Sequence, residues 1–237
     1  MSENKDTVFT VSTQPGIRRD GTTVDGNFYS DGEWVRFQRG RPKKMRGFRR
    51  ALATLTGIPS KVLVWSRQAP NAVYAFSPTK IEMVLIDNNG IGNALVDRTP
   101  SGYTAASNVI WSADTQYDEA VGSTATIVVA HASSSGLNID DATATKPYWA
   151  LADGATLFVA ITDAPSVSGG VFCIPPYTVA HGSDGLVSWS DANQPQVWSG
   201  STTPGDAGAD RVTGSKIVKG LPLRSGAGPS ALLWSLD

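Results

Sequence analysis

The sequence predicts an all-β protein: propeller-like antiparallel blades carried behind an extended basic N-terminal arm. Three observations predict it. From Lys61 onward, short β-branched or apolar runs alternate with turn residues at the spacing of sandwiches, barrels and propellers, and helical periodicity is nearly absent. Glycine and proline take 24 and 14 of 237 positions while charged residues make up only 17%, which excludes a coiled coil, a bundle of long helices and a charged disordered tail. Five of the seven tryptophans precede a serine, at Trp65, Trp111, Trp189, Trp198 and Trp234. A strand ending in Trp-Ser buries a large ring while the hydroxyl satisfies a turn amide, a unit that a propeller can repeat once per blade. The pairs are unevenly spaced, so the repeat they suggest is degenerate.

The first element is the arm, residues 1–60. It carries 11 Lys/Arg against 6 Asp/Glu, whereas residues 61–237 carry 9 against 15, so the two parts have opposite net charge. Arg36, Arg39, Arg41, Lys43, Lys44, Arg46, Arg49 and Arg50 follow one another without an acidic residue between them. Such a run repels itself unless an anionic partner or an acidic surface answers it. Phe37, Met45 and Phe48 interrupt the charges, which predicts an arm docked against protein with its cations turned outward. These eight cations are the expected subunit or adaptor interface.

The second element, residues 61–237, is the expected propeller-like domain. Its strands are predicted at Lys61–Ser66, Ala72–Ser77, Lys80–Asp87, Gly92–Asp97, Val109–Ser112, Ala125–His131, Tyr148–Ala152, Thr156–Thr162, Gly170–Ile174, Tyr177–His181, Gly185–Ser190, Arg211–Thr213 and Leu232–Ser235. Asp87-Asn88-Asn89-Gly90 predicts a hairpin, because Asn-Gly supplies the positive φ that a tight two-residue turn needs, and His181-Gly182-Ser183-Asp184-Gly185 predicts a second. Ser133–Thr145 and Ser199–Ala209 read as long polar loops. Alternation alone fits a sandwich as well as a propeller; the four-strand group from Lys61 to Asp97 favours the propeller. Ala231–Asp237 repeats the pattern of Leu186–Asp191 and then stops, so the expectation is a chain that is part of a longer design or a sheet completed by other chains.

Neither a run of about 18 apolar residues nor an apolar leader core occurs, so no membrane insertion is expected, and the single Cys173 with no Asn-x-Ser/Thr sequon agrees with synthesis in a reducing cytoplasm. The residue chemistry points away from catalysis. There is no Gly-x-Ser-x-Gly, no phosphate-binding glycine loop, and the two histidines, His131 and His181, lie 50 residues apart at expected strand ends, where a hydrogen-bonded structural histidine is the ordinary reading. Two histidines and one distant cysteine lack the spacing of a closed zinc site. Cys173 reads as a small buried apolar residue. Asp114, Gln116, Asp118 and Glu119 alternate like calcium ligands but lack the turn glycine and the distal bidentate glutamate. The adjacent pairs Asp118-Glu119 and Asp140-Asp141 are poorly placed for glycoside hydrolysis, since neighbours on an extended chain point apart. Ser112-Ala113-Asp114 begins an Asp-box and departs from it at the glycine. Tryptophans that end strands are expected in the core. No catalytic residue, metal site or cofactor is expected.

One stretch carries a resemblance: Gly16-Ile17-Arg18-Arg19-Asp20-Gly21-Thr22, then Asn27-Phe28-Tyr29-Ser30-Asp31-Gly32-Glu33-Trp34-Val35-Arg36-Phe37-Gln38-Arg39-Gly40-Arg41-Pro42-Lys43-Lys44-Met45-Arg46-Gly47-Phe48. A second runs from Gly182 through Trp189-Ser190-Asp191-Ala192-Asn193-Gln194-Pro195-Gln196-Val197-Trp198, with Gly205–Gly208 and Gly214–Pro222 after it. Together they resemble the tail hub or nozzle proteins of short-tailed bacteriophages, the packaged-DNA stabilisation group. The resemblance implies a virion structural protein of the viral tail, a propeller-like domain in a ring of identical copies, usually six, beneath the portal and adaptor rings. Such a ring retains packaged double-stranded DNA and conducts it during ejection through transient, non-specific contact. Family members are generally much longer than this chain. A conduit should not grip phosphates tightly, so a mildly acidic body suits its wall, and the arm fits a carboxylate-bearing neighbour or adaptor better than a sequence-reading role. Two further readings stay open: a glycan-binding or glycan-hydrolysing propeller module of the tail, and a propeller scaffold that binds another protein through the arm.

Overall fold

A computed structural model describes residues 16–17, 29, 31–39, 41–45, 54–66, 71–122, 125–133, 145–182, 184–199, 206–223 and 228–235. The chain divides into two compact units, Met1–Arg50 and Ala51–Asp237. Both are built of antiparallel β-structure, with no helix among the described residues.

In the first unit β1 (Val35–Gln38) and β2 (Arg41–Lys44) form a hairpin. Arg39 takes the positive φ of 52° at its turn, and the Met45 amide closes the open end by donating to the Trp34 carbonyl at 2.6 Å.

The second unit is a series of sheets, each folded from consecutive strands. The first contains β3 (Lys61–Trp65), β4 (Asn71–Phe76), β5 (Ile81–Ile86) and β6 (Val96–Asp97), in that order across the sheet. The second contains β7 (Ile110–Tyr117), β8 (Thr126–Ser133), β9 (Tyr148–Leu151) and β10 (Val159–Ala160). The third contains β11 (Gly170–Ile174), β12 (Tyr177–His181), β13 (Leu186–Trp189) and β14 (Gly208–Arg211). A two-stranded ribbon follows, β15 (Ile217–Leu223) with β16 (Ser230–Ser235). The all-β expectation therefore holds, and the predicted four-strand group from Lys61 to Asp97 is the first sheet.

The sheets stack in chain order. Tyr74, Phe76, Ile81 and Met83 of the first sheet meet Trp111, Val128, Ala130 and the adjoining Phe158. Ile127 and Val129, one residue out of step and so on the opposite face of β8, meet Val171 and Ala180 of the third sheet. Phe172, Val179 and Val187, on the third sheet's far face, meet Ile217, Ala231 and Leu233 of the ribbon. The first strands lie side by side, β3 against β7, β7 against β11 and β11 against β15.

Several boundaries differ from expectation. β7 runs to Tyr117 rather than stopping at Ser112, while β6 and β10 shrink to two residues each. β14 ends at Arg211, where a strand was expected to begin. The Trp-Ser pairs do not mark the repeat. Trp65 ends a first strand, Trp111 stands near the start of another, Trp189 ends a third strand, Trp198 lies outside the strands and Trp234 sits in a second strand. The repeating unit is the meander, whose first strands begin at Lys61, Ile110, Gly170 and Ile217.

Candidate functional site

The expected interface residues divide three ways. Antiparallel pairing sets Arg36 opposite Lys43 and Gln38 opposite Arg41, and paired residues share a face, so Arg36, Arg41 and Lys43 stand together on one side of the hairpin. Val35, Phe37 and Pro42 take the other side with Lys44, which pairs with Val35. Arg39 occupies the turn. Arg46, Arg49 and Arg50 lie outside the described residues.

The apolar side is anchored within its own unit. The Phe37 ring lies 5.4 Å from that of Tyr29, Tyr29 bridges Ile17, and the Ile17 side chain comes so close to Gly32 that a Cβ there would stand 3.1 Å from it. Phe37 thus packs within the arm's own unit, on the side of the hairpin opposite Arg36, Arg41 and Lys43. Arg36 directly opposite Lys43 is a like-charge pair, unfavourable unless an anion answers it. The aromatic expectation fails here: Trp34 is 61% exposed.

The residues weighed for catalysis or metal binding are used inside the sheet stack. His131 Nε2 lies 2.9 Å from the Val167 carbonyl and 3.0 Å from Thr145 Oγ1. His181 Nδ1 lies 3.1 Å from the Ile217 carbonyl, which ties the third sheet to the ribbon. Burial holds both imidazoles at a pKa of about 4, opposed by their carbonyl contacts, so both are neutral at pH 7. Ser112 Oγ accepts the Val171 amide at 2.9 Å and Asp114 Oδ2 accepts the Cys173 amide at 3.0 Å. Side chains of β7 therefore satisfy the amides on the edge of β11 that faces away from β12. Asp118, fully buried, accepts from the Ala120 amide and from Gln196 Nε2. The Cys173 thiol is buried and its pKa pushed up by burial, then by the Asp114 charge. Asp114 and Asp118 are thus sheet-linking and loop-holding groups, Gln116 is buried with its Nε2 unpaired, and Asp140-Asp141 lie outside the described residues.

Sequence reasoning missed the most committed polar group, Arg98. It is fully buried between the first and second sheets, with its guanidinium 5.6 Å from the Tyr74 ring centroid and 5.7 Å from that of Phe158. Nη2 donates to the Leu151 carbonyl at 3.0 Å, Nη1 to Tyr74 Oη at 3.2 Å and to the Gly154 carbonyl, and Nε to the Thr156 carbonyl. Tyr74 Oη in turn donates to the Ala152 carbonyl at 2.7 Å. A planar guanidinium answered by three carbonyls and the Tyr74 hydroxyl stays charged inside without a carboxylate. Nothing in Asp97-Arg98-Thr99-Pro100 distinguishes it from a solvated turn.

No family model, no curated protein and no solved structure matches the chain.

The arrangement offers two surfaces with binding chemistry. One is the cationic side of the β1–β2 hairpin. The other is the outward side of the β15–β16 ribbon, where Leu221 pairs with Leu232 and Lys219 with Trp234, all turned away from the third sheet. Trp234, expected in the core, is 47% exposed.

Proposed function

We propose that this chain is a structural subunit of the tail of a short-tailed bacteriophage, a tail hub or nozzle protein. In this reading identical copies, six as the resemblance implies, form a ring-shaped conduit that retains packaged DNA and conducts it during ejection. The observation that carries the reading is the run of consecutive four-stranded meanders with their first strands side by side. This order supports the propeller-like reading, in which blades follow one another around an axis and together form a wall. Among the described residues, the two sequence stretches that resemble the nozzle group include the hairpin, the third sheet's β13 and the strand β15.

The residue chemistry supports a mechanical role. His131, His181, Ser112, Asp114 and Asp118 are engaged in holding sheets and loops together, which makes them parts of the wall. The cationic side of the hairpin then serves as the docking surface for the carboxylates of a neighbouring copy or of the portal adaptor. Guanidinium forks suit that task better than ammonium groups, and Arg36 and Arg41 supply two of them.

The test is location. Cryo-electron microscopy of tailed particles, with the chain traced by its Trp111 and Trp198 side chains, should place it in a ring below the portal adaptor. Absence of the chain from purified tails overturns the reading.

A further inference from the structure

Along β7 the side chains of Ser112, Asp114 and Gln116 share one face, because residues two apart in a strand point the same way. The first two each accept an amide from the outer edge of β11, Ser112 from Val171 and Asp114 from Cys173. Both strands advance by two residues between these contacts, so the next step brings Gln116 level with Pro175, which has no amide to donate. Gln116 is buried, and its Nε2 has no partner.

His131 on β8 lacks a partner of the opposite kind. It pairs across the sheet with Ser112, so the two side chains stand on the same face. Its Nε2 lies 3.1 Å from the Thr145 carbonyl and 2.9 Å from that of Val167, and a carbonyl only accepts. The third neighbour, Thr145 Oγ1, gives its own proton to the Ala132 carbonyl. Nε2 therefore carries the proton of the neutral ring, and Nδ1 is a lone pair. That atom is buried and has no partner.

Ser112 has what His131 needs, for its Oγ accepts the Val171 amide and keeps a proton to give. Paired Cβ atoms stand about 4.5–5.5 Å apart, a separation that one water between the two side-chain tips can span. Ser112 is only half-buried, so solvent reaches this end of the seam. At the other end, β11 turns the Val171 and Cys173 carbonyls to the same side as their amides, which places acceptors on the edge that Gln116 faces. Buried polar atoms of native folds are paired by protein or by ordered water.

We propose that the seam between β7 and β11 binds ordered internal water at two sites. One water bridges the Ser112 hydroxyl to His131 Nδ1, and the other joins Gln116 Nε2 to the outward carbonyls of β11. Each site sets a donor against an acceptor, so its ligand must both accept and donate, which a water does and a simple ion does not. Each also supplies at least two of the polar partners that a buried water requires.

The experiment is NMR of the full chain, with His181→Gln used to assign the two imidazoles. Ring 15N shifts should show His131 protonated at Nε2, with Nδ1 at the shift of a hydrogen-bonded acceptor. Water-selective cross-relaxation should find water at the Gln116 side-chain amide that stays longer than surface hydration. Ser112→Ala should move Nδ1 toward the shift of a bare lone pair while Nε2 holds. Gln116→Met, close in volume and without a donor, should lower the folding equilibrium constant roughly fivefold, whereas removing an unpaired amide leaves it unchanged or raises it. The proposal is overturned by a proton on Nδ1, by a bare Nδ1 in the wild type, by the lack of long-lived water, by an Nδ1 indifferent to Ser112→Ala, or by a Gln116→Met chain as stable as the wild type. The ring shifts and the water measurement decide it on the wild-type fold should a variant fail to fold.

Discussion

β8 and β16 are both apolar strands with opposite surroundings. In β8 the residues Ile127 and Val129 face the third sheet while Val128 and Ala130 face the first, and all four are fully buried. In β16 the sequence neighbours Leu232 and Leu233 part company, Leu233 packing on the third sheet and Leu232 standing exposed. Both strands have apolar residues on two faces, so side-chain pattern does not tell how many faces are covered. What separates them is a covering neighbour: β8 is packed on both faces and the ribbon on one.

The largest way to break that contrast is to attack the covered region. Arg98→Met should cost about 4 kcal/mol in urea unfolding, since the Leu151, Gly154 and Thr156 carbonyls lose their donor in a site closed to water. A loss under about 1 kcal/mol would mean that water reaches that site and the first two sheets are less tightly joined than their packing indicates.

Acidification comes next. His131 and His181 have pKa values near 4 in the fold against 6.5 in an unperturbed chain, so the unfolded state takes up protons first as pH falls. Their stabilising effect is complete above pH 6.5, declines between 6.5 and 4, and levels off below 4. The loss should reach roughly 3 kcal/mol per imidazole. Thermal melts across that window measure it, and His181→Gln should flatten the curve by about half.

Gly220→Ala probes the joint between the covered and open regions. Gly220 lies against the Phe172 ring, so a Cβ there must displace the ribbon or the ring, at a cost of about 2 kcal/mol. Amide exchange should speed up in β15 and β16 while β8 keeps its protection. The smallest effect belongs to the open face: Trp234→Lys should change the stability of the isolated chain by less than about 1 kcal/mol, because the ring is half exposed. A larger loss would show that the ring is covered within a single copy.

The first sheet, the first three strands of the third and the ribbon's β16 were legible in the sequence, whereas β14, β15 and the hairpin were not, for physical reasons. Lys61–Asp97 alternates cleanly and turns at Asn89-Gly90, where Asp87 Oδ1 accepts the Asn89 and Ile91 amides and Gly90 takes a φ of 73°. β15 carries Gly220 and Pro222, which read as breakers, yet Gly220 is needed for close approach to Phe172, and among the described residues the ribbon has no third strand to demand a proline amide. Pro42 and four cations likewise disguised β1–β2, although Phe37 announced an anchored face. Trp-Ser drew attention as a repeat, but the serines serve different partners: Ser112 and Ser190 accept strand amides from Val171 and Thr178, while Ser66 donates to Asn71. Arg98 left no trace, because a buried guanidinium is specified by carbonyls that come together only after the sheets have stacked.

The Ser112 and Asp114 contacts have a consequence for how the protein survives at high local concentration. An unpaired strand edge is a template on which foreign polypeptide can grow into fibrils. Along β11 the outward amides of Val171 and Cys173 are already occupied by oxygen atoms of the preceding sheet, so an invading segment would first have to displace a hydroxyl and a carboxylate. At high concentration this edge of β11 is therefore closed to cross-β growth.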